Sequence, residues 1–244
     1  MSGNLFTATA ANLIKTASYT KLHIPFFQRQ YVWSKDNWEE LFNTFLEERT
    51  PFIGSIIVKQ LQNRNNEVDV IDGQQRLTTL SILIKAFYDS LNIEDKKTAY
   101  NNILTIFYSS KSILSKEYSL RLNHSRLDRS DFENIMSFNY SLKDRCTSSE
   151  IGIIGCYSYF LNRISSLKSE NYQKFLDMFE KLTDEKFSYL VLIQLSSEAA
   201  EQTIFDTLNT TGVMLTASDT IKNIIYKTLG KMYEDEDFIE PQEN

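Results

Sequence analysis

Cysteine and histidine are scarce in this chain of 244 residues, which contains only two of each. Cys146 and Cys156 are too few for a disulfide framework, and neither has a Cys or His partner at zinc-knuckle spacing. His23 and His124 lie outside any HExxH or His-Asn-His arrangement. The sequence therefore predicts buried free thiols, and it predicts no metallohydrolase or His-metal nuclease centre in this chain.

Long apolar runs, glycine and proline are also in short supply. No run approaches the length of a membrane-spanning helix, and residues 1–15 lack the basic start and apolar centre of a secretory signal. We therefore expect a cytoplasmic protein without a membrane partner. The seven glycines complete neither a GxxxxGK(S/T) phosphate loop nor a GxSxG nucleophile elbow. A phosphate would need a different binding site.

Positive charge is outnumbered, with 26 Lys and Arg against 32 Asp and Glu and a net charge of −6. Nonspecific affinity for nucleic acid comes mainly from many basic side chains that neutralise phosphates. The composition argues against a surface that binds nucleic acid nonspecifically, and it does not exclude a local basic cleft.

The spacing of apolar residues changes near residue 95. Before it, GSIIVKQL and VDVI are β-branched runs separated by the polar stretch QNRNNE, which predicts a hairpin over 54–71, followed by a helix from about Arg76. Later segments have helical spacing, apart from a β-branched run at 187–197 that predicts a returning strand. We therefore predict an α+β fold, with a small-sheet core in 1–94 and a mainly helical part in 95–244.

The polar stretch DGQQR, Asp72 to Arg76, joins the second of these strands to the helix. A helix start presents unpaired N–H groups and partial positive charge, Gly73 lets a ligand approach the backbone, and an exposed Arg76 adds a forked donor. These features suit an anion such as phosphate. In the alternative interpretation Asp72 caps the helix, Gly73 makes the turn and Arg76 pairs with a surface carboxylate.

A second Gln-Arg pair, Gln28 and Arg29, lies within IPFFQRQYVW after another predicted strand. If the two strands are neighbours, Arg29 and Arg76 converge on one pocket. The amides of Gln28, Gln74 and Gln75 are then placed to position a water or a base edge. Core packing is the alternative interpretation for the aromatic residues of this segment, which are Phe26, Phe27, Tyr31 and Trp33.

A third polar cluster lies in FDTLNTTGVMLTASD, at the predicted turn between two late helices. Gly212 as a helix-ending residue and Asp219 as an N-cap explain much of this pattern without a function. These roles do not explain Asn209, whose side-chain amide can hydrogen-bond a loop, a metal-bound water or a nucleotide.

The order of IPFFQRQYVW, GSIIV, VIDGQQRLTTL, RLNHSRLDRSDFENI and IFDTLNTTGVMLTASDTIKN resembles the N-terminal domain of GmrSD-type, modification-dependent restriction proteins. That domain is similar to the ParB and sulfiredoxin superfamily, which binds nucleotide phosphates at the strand-to-helix corner. The resemblance implies a ParB/sulfiredoxin-like core and an NTP-hydrolysing or NTP-sensing module in phage defence. It also implies a downstream or partner HNH-type nuclease domain and modified DNA as a partner of the full system. Residue 211 is Thr, where relatives often have a basic residue.

The resemblance assigns roles to the polar clusters. Asp72, Gln74, Gln75 and Arg76 are expected to carry catalysis, with Asp72 holding Mg²⁺ or polarising the attacking water. The expected nucleotide-binding residues are Gln28, Arg29, Gly73, Arg76, Asn209, Gly212 and Asp219. The alternative is a ParB-like nucleotide switch or a DNA-recognition module without catalysis, and homo-oligomer formation is left open.

Overall fold

The computed structural model describes residues 6–16, 18–26, 28–47, 51–62, 64, 66–110, 118–124, 126–138 and 151–197. The chain divides into two compact units, Met1–Ser197 and Glu198–Asn244, and all described residues belong to the first. These residues form an α+β fold, as predicted, whereas the ParB/sulfiredoxin likeness remains an expectation. Among the described helices, none is long and apolar enough to cross a membrane.

The described elements alternate along the chain in the order β1-α1-β2-α2-β3-β4-α3-α4-β5-β6-β7-α5-α6-α7-β8. The strands are β1 Phe6–Ala11, β2 Lys21–His23, β3 Ser55–Gln60, β4 Glu67–Asp72, β5 Tyr108–Ser110, β6 Tyr118–Leu120, β7 Leu122–Asn123 and β8 Leu190–Leu195. The helices are α1 Leu13–Thr16, α2 Lys35–Glu47, α3 Gln74–Ser90, α4 Ile93–Phe107, α5 Arg126–Met136, α6 Gly152–Glu170 and α7 Tyr172–Thr183.

Six strands form one mixed sheet in the order β1-β8-β3-β4-β2-β7, and β5 and β6 form a separate pair. The predicted hairpin is confirmed, since β3 and β4 pair antiparallel. The predicted returning strand is also confirmed, because β8 enters the same sheet between β1 and β3. The sheet thus combines strands from both parts of the chain that the sequence divided near residue 95.

Strand direction gathers several chain segments at one edge of this sheet. β2 runs parallel to β4 and to β7, so the carboxyl ends of these three strands share an edge. β3 runs antiparallel to β4 and parallel to β8, so β3 and β8 begin at that edge. The two strands that precede the Gln-Arg pairs, β2 and β4, are therefore neighbours, which is the condition on which a shared pocket depended.

Helix α3 is the centre of the core and is buried on nearly every side. Residues Leu77 to Tyr88 are all buried, because the helix contacts the sheet as well as α5, α6 and α7. The one buried cysteine in the described residues, Cys156 of α6, is a free thiol as predicted, whereas Cys146 lies outside them. The start of α3 lies at the edge of the sheet, directly after β4.

Candidate functional site

The DGQQR stretch is a tight corner between β4 and α3. Asp72 is the last residue of β4, Gly73 is the N-cap with φ 89°, and α3 begins at Gln74. A Cβ on Gly73 would meet the carbonyl oxygen of Ser55 at 2.9 Å, so only glycine fits both the backbone angle and the contact. Among the described residues, no side chain caps this terminus by a hydrogen bond. The alternative in which Asp72 caps the helix is therefore wrong, and no described side chain competes with an anion for the first N–H groups of α3.

Arg76 is half-buried rather than exposed, because its side chain folds back over the start of β3. Its Nη1 donates a hydrogen bond to the carbonyl of Ser55. A Cβ on Gly54, which has φ 98°, would lie 3.2 Å from the Arg76 Cζ. Among the described residues no carboxylate forms an ion pair with Arg76, so the surface-pair alternative has no partner there. The neighbouring chain instead holds the guanidinium at the corner.

The segment 28–33, here called the Arg29 loop, follows β2 and is attached to the corner by three glutamine amides. Gln28 Nε2 donates to the carbonyl of Ile71 at 3.1 Å. Gln74 Nε2 donates to the carbonyl of Arg29 at 3.1 Å. Gln75 Nε2 donates to the carbonyl of Gln30 at 2.9 Å. The two glutamines of α3 are buried and bind the backbone of the loop.

Gln75 uses both ends of its amide. Its Oε1 accepts the N–H of Val32 at 2.9 Å and that of Trp33 at 3.3 Å, while its Nε2 bonds the carbonyl of Gln30. An amide bonded in this way has little capacity left for a water or a base edge. The catalytic role that the resemblance implies for Gln74 and Gln75 stays a prediction, and the hydrogen bonds found attach the Arg29 loop to the helix start.

Two charged side chains near the corner, Arg29 and Asp72, have charged groups that are not bonded to other described residues. Arg29 is exposed and Asp72 is half-buried. Within the described ranges, neither side chain has a hydrogen bond or an ion pair. The edge therefore presents a cation and a carboxylate beside an uncapped helix start, which is a set of groups able to bind a phosphate and its counterion.

The aromatic residues of IPFFQRQYVW divide between core and surface. Tyr31 is buried and Trp33 packs against the core, as the alternative interpretation expected. Phe26 is 63% exposed, and Phe27 lies outside the described residues. The core explains Tyr31 and Trp33, and it does not explain Phe26.

Tyr31 anchors the Arg29 loop through a buried polar cluster that sequence reasoning missed. Its hydroxyl lies 2.7 Å from Thr79 Oγ1, accepts the Trp38 Nε1–H at 2.8 Å and donates to Cys156 Sγ at 3.4 Å. Burial raises the pKa of Tyr31, and burial likewise raises that of the Cys156 thiol. Both groups therefore stay protonated at neutral pH, and their role here is structural.

Two further residues at this edge, Asp128 and His124, were not predicted to belong to the site. The Asp128 carboxylate, in the first turn of α5, accepts the Tyr31 N–H at 2.9 Å. His124 follows β7 and is buried, with Nε2 3.0 Å from Thr78 Oγ1. Burial, with a smaller contribution from the Arg129 charge, lowers the pKa of His124 to about 3, so its ring is neutral. Asp128 lies 97 positions from Tyr31 in the sequence, so only knowledge of long-range contacts would have identified it as part of the site.

The late cluster cannot be compared with this geometry, because Asn209, Gly212 and Asp219 lie outside the described residues. Their predicted role in nucleotide binding stays a prediction. Thr211 lies outside the described residues as well.

A divalent ion would find one carboxylate at the corner. Across the part of the chain that the structure describes, no group of three or more His, Cys, Asp or Glu residues could hold a metal ion. Mg²⁺ is commonly held by only one or two carboxylates together with substrate phosphates and waters. Asp72, with no bonded partner among the described residues, fits Mg²⁺ that arrives with a nucleotide and does not fit a preformed metal centre.

Comparison of the sequence with known proteins finds a family model and a relative. Residues 11–226 match the family model described as "GmrSD restriction endonuclease, N-terminal domain". Every site residue predicted from the sequence lies within that range. The chain is also 23% identical over 267 residues to "Uncharacterized protein MJ0686" of Methanocaldococcus jannaschii. That alignment covers 91% of this chain and 42% of the relative, so the chain spans less than half of the relative's length.

Proposed function

The chain belongs to the family of GmrSD restriction endonuclease N-terminal domains, and from this premise we propose that it binds and hydrolyses a nucleoside triphosphate at the Asp72–Arg76 corner. The observation that carries the proposal is the shared edge at which β2 and β4 end side by side. It brings the Arg29 loop against the start of α3, where the N-cap residue is Gly73 and no described side chain caps the helix. In this function the chain is the nucleotide-dependent module of a DNA-modification-dependent restriction system.

Each group at the corner has a chemical task in this proposal. The first N–H groups of α3 and the open backbone at Gly73 bind phosphate oxygens. Arg76, held by the Ser55 carbonyl, and the exposed Arg29 supply two cationic arms. The Asp72 carboxylate accepts the proton of the attacking water or holds the metal. Mg²⁺, when bound with the nucleotide, would neutralise charge on the phosphate oxygens.

Gln74 and Gln75 support a second candidate, a ParB-like nucleotide switch or DNA-recognition module that does not catalyse. Both amides donate to carbonyls of the Arg29 loop, and Gln75 also accepts two N–H groups from it. Because both amides bond the Arg29 loop, nucleotide binding at the corner can be coupled to the position of this loop. The two candidates differ in whether phosphate is released.

The partners of the full system are part of the same proposal. We assign DNA cleavage to an HNH-type nuclease domain outside this chain, either downstream or on a partner, and we assign modified DNA as the substrate of the whole. The support is the family match and a relative more than twice the length of the aligned chain.

The nucleotide site is tested by replacing its cationic arms. Arg76→Ala and Arg29→Ala should each weaken nucleotide binding by about ten- to a hundredfold, because each removes a charge-assisted contact of about 1.5 to 3 kcal/mol. ATP, GTP, CTP and UTP with Mg²⁺ are titrated separately into the wild type and both variants by calorimetry, and phosphate release is followed in parallel. Lys97→Ala, which removes an exposed positive charge on α4, is the matched control.

The outcomes of this titration separate the candidates. Arg76→Ala also loses the Ser55 bond and packing over Gly54, so its affinity must be compared at equal folded fraction. Unchanged affinity in both arginine variants would remove the corner as the binding site. Binding by the wild type without phosphate release would leave the site and favour the switch.

Binding of unmodified duplex DNA by this chain alone should be weak and sensitive to salt. Its 26 basic residues are outnumbered by 32 acidic ones, so only a local patch can contact phosphates. With about two to four phosphate contacts, affinity should fall about ten- to a hundredfold between about 50 and about 200 mM salt. Fluorescence anisotropy with a labelled duplex measures this, and tight binding that persists at high salt would contradict it.

A further inference from the structure

The direction of Arg29 depends on how its loop is anchored, and side chains of two helices contribute the anchors. From α3, Gln74 bonds the carbonyl of Arg29 and Gln75 bonds that of Gln30. From α5, the Asp128 carboxylate accepts the N–H of Tyr31. The three contacts fall on consecutive residues of the loop, with Arg29 first, so the backbone that carries the Arg29 side chain is fixed from both helices.

Asp128 is the charged member of this set. It is half-buried in the first turn of α5, where the helix dipole favours a carboxylate. Burial raises its pKa, while the Tyr31 N–H lowers it and Asp131 of the same helix raises it. The Tyr31 ring, which points inward to Thr79 and Trp38, holds the other end of the same residue. Tyr31 is thus pinned at both its amide and its hydroxyl.

We propose that Asp128 is a positioning residue of the nucleotide site, which acts through the Tyr31 N–H to hold the Arg29 loop in the orientation that presents Arg29 to the phosphates. This inference rests on the proposed nucleotide site. Without the carboxylate, the Tyr31 N–H loses its acceptor and the loop must be ordered when the nucleotide binds. Ordering of that kind lowers affinity and leaves the chemical groups of the site in place.

The sign of the effect distinguishes positioning from simple electrostatics. A carboxylate close to a phosphate site repels the ligand, so its removal would raise nucleotide affinity if charge alone mattered. Positioning predicts the opposite, a loss of affinity on removal. Asp128→Asn keeps an oxygen that accepts the Tyr31 N–H and removes the charge, so it should retain the wild-type orientation of the loop.

The experiment compares the wild type with Asp128→Ala, Asp128→Asn, Arg29→Ala and the double variant Arg29→Ala/Asp128→Ala. Asp131→Ala is the matched control, because it removes a half-buried carboxylate of the same helix that does not bond the loop. Affinity for ATP, GTP, CTP and UTP with Mg²⁺ is measured by calorimetry on protein of equal folded fraction. Hydrogen–deuterium exchange of residues 28–33 is measured without nucleotide.

Asp128→Ala should weaken binding by about two- to tenfold, which corresponds to the ordering of one or two side chains. Asp128→Asn and Asp131→Ala should bind like the wild type. In the Arg29→Ala background the Asp128 substitution should have no further effect, because the loop then carries no arginine to present. Amide exchange of the loop should be faster in Asp128→Ala, with or without Arg29→Ala, and unchanged in Asp128→Asn and Asp131→Ala.

Three results would overturn the assignment of Asp128. One is an equal loss of affinity with and without Arg29, another is a failure of Asp128→Asn to restore binding, and the third is unchanged exchange of the loop in Asp128→Ala. A wild type that binds none of the four nucleotides defeats the proposed function and the role of Asp128 in it. In that case the exchange measurement still shows whether Asp128 orders the loop, so a failure of the proposed function is distinguished from a failure of Asp128 to hold the loop.

Discussion

Gly73→Ala should lower the free energy of unfolding by about 2 to 5 kcal/mol. An L-residue in the left-handed region loses about 1 to 2 kcal/mol, and forcing a methyl into a filled space adds about 1 to 3 kcal/mol. Gly73 has φ 89°, and its added Cβ would meet the Ser55 carbonyl oxygen at 2.9 Å and Ile56 Cγ1 at 3.1 Å. Both Ser55 and Ile56 belong to β3, a strand inside the sheet that cannot move easily.

The chain offers a matched control for this substitution. Gly152, at the start of α6, has φ 70°, but a Cβ there would meet no atom within 4 Å. Gly152→Ala should therefore lose only the backbone part, about 1 to 2 kcal/mol. Urea unfolding followed by circular dichroism measures both variants. Equal losses in the two variants would show that the close approach to β3 adds nothing to the requirement for glycine at position 73.

The local elements of this fold could be predicted because their signals lie within short stretches of sequence. Two β-branched runs around a polar turn indicated the hairpin, and it is found as β3 and β4. The run at 187–197 indicated a strand, and β8 is found there. The helix after DGQQR was expected from about Arg76 and begins two residues earlier, at Gln74. In each case the period of the apolar residues matches the element that buries them.

The partners of the polar side chains could not be predicted, because they are set by packing across long stretches of chain. Gln75 lies 43 positions from Val32, and Asp128 lies 97 positions from Tyr31. Nothing in the local pattern of either residue identifies its partner. Arg76 was expected to be exposed at a helix start, and the approach of β3 half-buries it against the Ser55 carbonyl.

The environment of Lys85, inside the core, could not be predicted from the sequence either. Apolar spacing predicted a helix there, yet Lys85 is fully buried, since α3 is surrounded on nearly all sides. Its Nζ donates to Asp89 Oδ2 at 2.5 Å, and the same oxygen accepts the hydroxyl of Tyr157. Burial lowers the pKa of Lys85, and the Asp89 charge opposes that shift. A buried charge of this kind is tolerated because it is paired and hydrogen-bonded.

Asp72→Asn should lower the rate of phosphate release by about a hundredfold or more and change nucleotide affinity much less. A positioned general base contributes about 10² to 10⁴ in rate, and an amide cannot accept the proton or carry the charge that attracts a metal. The substitution preserves the size of the side chain. Because the N-cap is Gly73 and not Asp72, even Asp72→Ala should leave helix capping unchanged, which permits comparison of both variants with the wild type.

Single-turnover phosphate release and calorimetric titration, on the same preparations, separate rate from affinity. Asp177→Asn, an exposed carboxylate on α7, is the control for loss of one negative charge. If Asp72→Asn releases phosphate within about threefold of the wild-type rate, the carboxylate serves neither water nor metal, since a general base alone contributes about 10² or more. If the variant instead binds nucleotide as the wild type does while release is lost, Asp72 acts on the chemical step, and Arg29 and Arg76 remain as the groups that hold the phosphates.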